Sequence, residues 1–243
     1  MASPSRVAPR HPESGASSNR FFLILGALAV AGAAVLAVLV LKPKDESIPA
    51  NVTVLAADTA GFRGYLVGSP TAPLEVTEYA DFQCPACGSF DVMQWDVVKR
   101  QLVDSGLVRW RYRDFPLDQV HRHARVAAHS AACANDQGKF WEFKALVYQR
   151  QADWSIKSSA GGMFHDMARE AGLDPAKFDT CMDSKKYAGR IEASLQEGMK
   201  LGVPSTPTFL IEGRLYPGAF SSDSLASLIR SIAARQASAK QAK

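Results

Sequence analysis

The feature that most constrains this chain is the tetrapeptide Cys84-Pro85-Ala86-Cys87, set where one hydrophobic periodicity gives way to another. Before it, Leu74-Glu75-Val76-Thr77-Glu78-Tyr79 is a short β-rich apolar run, as in a buried strand. After it, Phe90, Met93, Val97 and Leu102 recur at helical spacing until Gly106. The cysteines therefore fall at a strand-to-helix turn, with Pro85 at the first helical position, where its missing N–H goes unused anyway. Cysteines three apart in a first helical turn share a face and can form a disulfide. At the cap position, Cys84 meets unpaired backbone N–H groups and the positive helix end, which favour a thiolate. Cys87, one turn further in, is positioned to attack a mixed disulfide formed on Cys84. A buried structural disulfide and half of a zinc site are the other readings. Zinc needs more ligands, and no second C-x-x-C or H-x-x-x-H supplies them, so no metal is expected.

Glu78 precedes Cys84 on a strand expected to be buried. A buried carboxyl without a partner has a raised pKa, which would let Glu78 exchange a proton with Cys87. A strand-end glutamate facing water is the alternative.

Of the 243 residues 47% are hydrophobic and 21% charged, an ordinary globular composition. The net charge of +4 is partly spent on arginines ahead of the first apolar run, so nucleic-acid binding has no support. Met1–Arg20, rich in Ser, Pro and Arg, is expected as a disordered tail on the cytoplasmic side. Phe21–Leu41 carries no charge and is long enough to span a bilayer. It is expected as an uncleaved anchor rather than a signal peptide, because no small-x-small cleavage site follows. The preceding arginines put the remainder of the chain outside the cytoplasm. Residues 42–60 then form a polar tether, and the folded domain is expected over 61–236, with a polar tail at 237–243.

Within that domain, Val108-Arg109-Trp110-Arg111-Tyr112-Arg113 alternates strictly and predicts a strand near a sheet edge, its arginines solvated or snorkelling. From Leu117 to about Leu201 the pattern is helical. Helices are expected over His123–Ala134, from Phe140, and around Met163–Ala171, Pro175–Met182 and Tyr187–Leu201. His121, His123 and His129 have poor metal-ligand spacing and read as solvated or helix-packing. Cys133 and Cys181 both fall in this region. In an oxidising compartment their default is a structural disulfide, the alternative being two free buried thiols. The chain returns to β at Thr206-Pro207-Thr208-Phe209-Leu210-Ile211 and Arg214-Leu215-Tyr216. A last helix is expected from Ser222 to Ala234.

Glu78, Cys84-Pro85-Ala86-Cys87, the Phe140-Trp141 helix and the distant Thr206-Pro207-Thr208-Phe209 together resemble the DsbA-like thiol–disulfide oxidoreductases of the thioredoxin superfamily. The resemblance covers Tyr65 to Ile232. It implies an α/β thioredoxin fold with a helical domain inserted over about 117–201, here preceded by one transmembrane helix. It also implies Cys84 as nucleophile, Cys87 as resolving thiol, Glu78 as buried acid, and a cis Pro207 with Thr206 meeting a substrate peptide. The chain departs from the strongest oxidases of that family by having Pro85-Ala86 where they carry Pro-His, and Thr206 where valine is common. The implied protein is a bacterial, membrane-anchored monomer on the outer face of the cytoplasmic membrane, without a cofactor. Its partners would be exported thiol-containing proteins and a membrane quinone-linked (DsbB-like or VKOR-like) reoxidant. The same fold working as a reductase, for example in cytochrome maturation, is one alternative. A Cu(I)-handling module is another.

Overall fold

The computed structural model describes residues 16–41 and 47–241, which fall into two units divided after Asp45. In the first, helix α1 runs Ala16–Leu41, 26 residues. Phe22, Leu23 and Val30 all stand exposed on it, so the described part of α1 is an apolar rod rather than an amphipathic one. Its side chains are described only over 21–33, and among the described residues no helix is long and apolar enough to cross a membrane. Residues 1–15 of the expected tail, 42–46 of the tether and 242–243 lie outside the described residues.

The second unit is built on a five-stranded sheet: β1 (Tyr65–Val67), β2 (Leu74–Ala80), β3 (Val108–Asp114), β4 (Thr208–Ile211) and β5 (Arg214–Pro217), in the order β1-β3-β2-β4-β5. Strands β2 and β3 are parallel, and every other pair is antiparallel. A parallel pair needs a long crossover, here the helical run from Pro85 to Val103. Register sets Glu78 beside Tyr112 and Phe209, and Ala80 beside Asp114.

The crossover comprises α3 (Pro85–Phe90), a π-helical turn (Asp91–Trp95), α4 (Asp96–Val98) and a second π-helical turn (Lys99–Val103). Helical spacing predicts Met93 on its buried face, but Met93 is 63% exposed while Trp95 and Val98 are buried. A π turn takes more residues than an α turn, so it rotates everything after it away from the 3.6-residue stripe.

Strand β3 lies near the sheet edge, one strand in, between the edge strand β1 and β2. Its arginines, however, are not solvated as expected. Arg113 is buried and paired with Glu197, and Arg111 Nε donates to Thr77 Oγ1 at 2.8 Å beside Glu75. Alternation correctly separates two faces, but it cannot distinguish water from a helix bearing a counter-ion. Glu197 comes from helix α10 (Ala188–Leu201), which packs on β3.

The inserted region holds α5 (Ala124–Asn135), α6 (Phe140–Gln149), the short α7 (Gln151–Trp154), α8 (Gly161–Glu170), α9 (Pro175–Ser184) and α10. Its core, including Ala127, Ala131, Phe143, Val147, Phe164 and Phe178, continues to Phe82, Cys84 and Cys87. A second core on the same sheet face joins Val76, Trp110 and Phe209 to Leu225 and Ile229 of α11. Helix α11 spans Ser222–Gln241 and so runs past the expected end at Ala234. The expected tether also packs against the domain. Ile48 is buried, the Asn51 N–H donates to Glu192 Oε2 at 3.1 Å, and helix α2 (Ala56–Thr59) lies on α10. Two of its apolar residues, Ile48 and Val52, extend the core, which their spacing among polar neighbours concealed.

Cys133 and Cys181 are bonded to each other, tying α5 to α9 across a separation of 48 residues. Loop-closure entropy gives such a link about 4 kcal/mol. A Cys133→Ala, Cys181→Ala double variant is therefore expected to lose about that much in urea unfolding. An unchanged midpoint would show that the bond contributes nothing to stability.

Candidate active site

The strand-to-helix turn is made by Asp81-Phe82-Gln83. Asp81 O accepts from the Cys84 N–H at 3.0 Å, and Asp81 Oδ1 accepts from the Gln83 N–H at 2.7 Å. Cys84 then takes an extended conformation at the N-cap of α3, with Pro85 in the first turn. Gln151 of α7 clamps this turn, donating from Nε2 to Phe82 O at 2.7 Å and to Cys84 O at 2.9 Å. The clamp needs Gly88: a Cβ there would sit 2.6 Å from Gln151 Oε1. No sequence signal marked Gln151, because its role depends on how the insertion folds back.

Cys84 is 7% exposed and Cys87 0%, so Cys84 is the sulfur open to a partner. Both are free thiols. The Thr206–Pro207 peptide is cis, and Cys84 Sγ lies 3.4 Å from Thr206 O.

The two thiols are pushed apart. Donation by the Cys87 thiol draws Cys84 down to about 5. The Thr206 side chain and the backbone N–H groups of Cys87 and Ala86 assist, against the opposing effect of burial. Cys87 is raised, first by burial and then by donating to Cys84. A proton held by one sulfur and a charge held by the other is the arrangement disulfide exchange uses.

Beneath the cysteines lies a buried acid. Glu78 is inaccessible, accepts from Trp110 Nε1–H at 3.0 Å, and is raised to about 7. Burial is the main cause; Asp91 adds to it, while Lys144 and the Trp110 bond oppose it. Lys144 and Asp91 form a buried ion pair. The Lys144 ammonium sits 4.9 Å from the Trp95 ring centroid and 5.3 Å from that of Tyr148. Such contacts offset part of the cost of desolvating a cation.

The sequence reading missed a second buried acid. Asp114, at the end of β3, is 2% exposed, and neither carboxylate oxygen has a hydrogen-bond partner. Burial raises it to about 7, against the nearby Arg113 and Arg190. A signal existed: Asp114 continues the Trp110, Tyr112 alternation and so belongs to the apolar face. Of the three histidines, His129 is buried in α5 and His123 lies beneath the turn, its N–H donating to Gln83 Oε1 at 2.7 Å. His121 is neither solvated nor a helix-packing residue; it pairs with Asp81.

A thioredoxin-like sheet with a C-x-x-C pair capping the helix after β2, and a cis-proline facing it, defines a thiol–disulfide oxidoreductase fold. The thioredoxin family model matches residues 63–231, and the chain belongs to this family. Among solved structures, it resembles DsbA of Chlamydia trachomatis with a TM-score of 0.66 at 17% identity, covering 78% of this chain and 100% of that one. It resembles BdbD of Bacillus subtilis with a TM-score of 0.61 at 21% identity, covering 68% and 90%. The disulfide bond oxidoreductase DsbG of Mycobacterium tuberculosis aligns with a TM-score of 0.54 at 27% identity, covering 69% and 86%. Among curated proteins, a Na(+)/H(+) antiporter NhaA 1 of Salinispora arenicola is 32% identical over 169 residues. That region is 70% of this chain but 24% of the antiporter, so the chain spans about a quarter of such relatives. A second family model, the LPXTG cell wall anchor motif, matches residues 12–46. That stretch holds the apolar run but no Leu-Pro-X-Thr-Gly.

Proposed function

We propose that this chain is a thiol:disulfide oxidoreductase that uses Cys84 and Cys87 to introduce or exchange disulfides in exported proteins. The carrying observation is the split between an accessible Cys84 drawn down to about 5 and an inaccessible Cys87 raised by burial. In the oxidised enzyme, a substrate thiolate attacks Cys84 Sγ. The Cys84–Cys87 bond breaks and Cys87 leaves as a thiolate, which takes a proton from Glu78. A second substrate thiolate attacks the substrate sulfur of the mixed disulfide. The substrate disulfide forms and Cys84 departs as a thiolate, so two electrons pass from the substrate dithiol to the enzyme pair. Thr206 and Pro207 border Cys84 and would meet the substrate backbone. A membrane quinone-linked partner, DsbB-like or VKOR-like, would restore the disulfide.

Phe21–Leu41 is read as the single-pass anchor, with the domain on the outer side of the cytoplasmic membrane. Support comes from its uncharged length, the exposed apolar helix α1 and the match to a surface-anchor motif.

A stabilised thiolate favours the reduced enzyme and makes the disulfide more oxidising. The expected potential is about −130 to −200 mV, between the DsbA and thioredoxin values of about −120 and −270 mV. A reductase would lie at or below the thioredoxin value. A Cu(I) role would need both sulfurs as thiolates, and burial opposes that at Cys87. One experiment tests direction and placement together. Cells are first treated with a membrane-impermeant reductant that opens Cys84–Cys87, then with or without a membrane-impermeant maleimide, and their membranes, after reoxidation, are compared for donation of a disulfide to a reduced dithiol peptide. Donation blocked by the maleimide is expected. Donation that survives it would refute the outward placement, and no donation without the maleimide would refute the donor.

A further inference from the structure

Asp81 is a hub. Its side chain is fully buried, and Oδ2 accepts both from the Leu117 N–H at 2.8 Å and from His121 Nδ1 at 2.8 Å. Its Oδ1 holds the Gln83 N–H, and its carbonyl holds the Cys84 N–H and, at 3.4 Å, the Tyr148 hydroxyl. One carboxylate thus fixes the cysteine turn on one side and the loop from Leu117 to His121 on the other. That leaves a negative charge three residues from Cys84, where it opposes a thiolate. The dipeptide Pro85-Ala86 has no polar side chain to offset it.

His121 is the offsetting group. Its ring is only 16% exposed. The other charges nearby are engaged elsewhere: Arg122 donates to His123 Nε2 and to Lys157 O, and Arg125 is held by Asp118 and Glu192. The groups that act electrostatically on the imidazole are Asp81, its hydrogen-bond partner, and more weakly, when ionised, Cys84. Both favour its protonated form, and the hydrogen bond to Asp81 is the larger influence.

We infer that His121, held by Asp81, is a positioning residue whose imidazolium cancels the Asp81 charge and stabilises the Cys84 thiolate. The inference rests on Cys84 being the exchanging sulfur. It assigns a role to a residue outside the C-x-x-C turn and makes the thiolate depend on the protonation of a distant loop.

His121→Gln keeps a hydrogen-bond donor for Asp81 but removes the charge. In the reduced variant, thiolate absorbance is expected to titrate about one pH unit higher than in wild type. Exchange with a small disulfide, measured below that midpoint, should fall by up to about tenfold. The coupling is reciprocal, so in wild-type protein the His121 ring protons should titrate higher in the dithiol form than in the disulfide form by NMR. This second measurement decides the matter if the variant does not fold. Identical thiolate titrations, or a His121 titration indifferent to the redox state, would overturn the inference. Absorbance and NMR need no turnover. A wild-type enzyme that shows the coupling but cannot oxidise a dithiol peptide would sink the proposed function and leave the His121 assignment standing.

Discussion

Replacing Cys84 with serine is expected to abolish disulfide exchange, while Cys87→Ser accumulates mixed disulfides with substrate proteins. The asymmetry follows from burial and charge. Cys84 is the accessible sulfur, and with a value of about 5 it is almost wholly thiolate near neutrality. Cys87 is inaccessible and protonated there. Without the Cys87 sulfur, nothing inside the enzyme releases a partner bound to Cys84, so adducts should appear on non-reducing gels. Alkylation of Cys84 should stay flat from about pH 8 down to 6 and decline through about 5. Because donation by Cys87 is the largest cause of that low value, Cys87→Ala should raise the midpoint more than Cys87→Ser, whose hydroxyl still donates. Full turnover in Cys87→Ser, or trapped partners in Cys84→Ser, would reverse the assignment.

Asp114→Asn is expected to stabilise the protein at pH 8 and not at pH 4. The carboxyl is buried and raised to about 7, so it binds its proton more tightly folded than unfolded. For such an acid, stability falls as pH climbs from the unfolded value of about 4 to about 7, and the full penalty applies above that. Three pH units correspond to about 4 kcal/mol. The amide forfeits attraction to Arg113 and Arg190 and leaves its own polar atoms unpaired, at about 1–2 kcal/mol. A net gain of about 2 kcal/mol should remain at pH 8, with a small loss below pH 4. Urea midpoints at the two pH values decide it. Equal destabilisation at both would mean that the carboxyl is paired in solution. Glu78→Gln should follow the same sign, since Glu78 is also raised to about 7.

Local chemistry alone determined a good deal here. The strand, the cysteine turn with Pro85 in the first helical turn, and the inserted helices were all readable because propensity, capping and periodicity act over a few residues. Helix α9 starts at Pro175 and α10 ends at Leu201, as the pattern required. Even the candidate pair is a local feature, three residues apart. Tertiary structure decided what those features face. Whether Glu78 met water or core was open on the strand, and the structure buries it against the Trp110 ring. The arginines of β3 looked solvated until α10 brought Glu197 onto them. His121 looked incidental because its partner lies forty residues earlier, in the turn that holds Cys84. Asp114 and Gln151 were hidden for the same reason. A side chain's period states which face it takes, but its pKa and its partner depend on the dielectric and the charges that folding assembles around it.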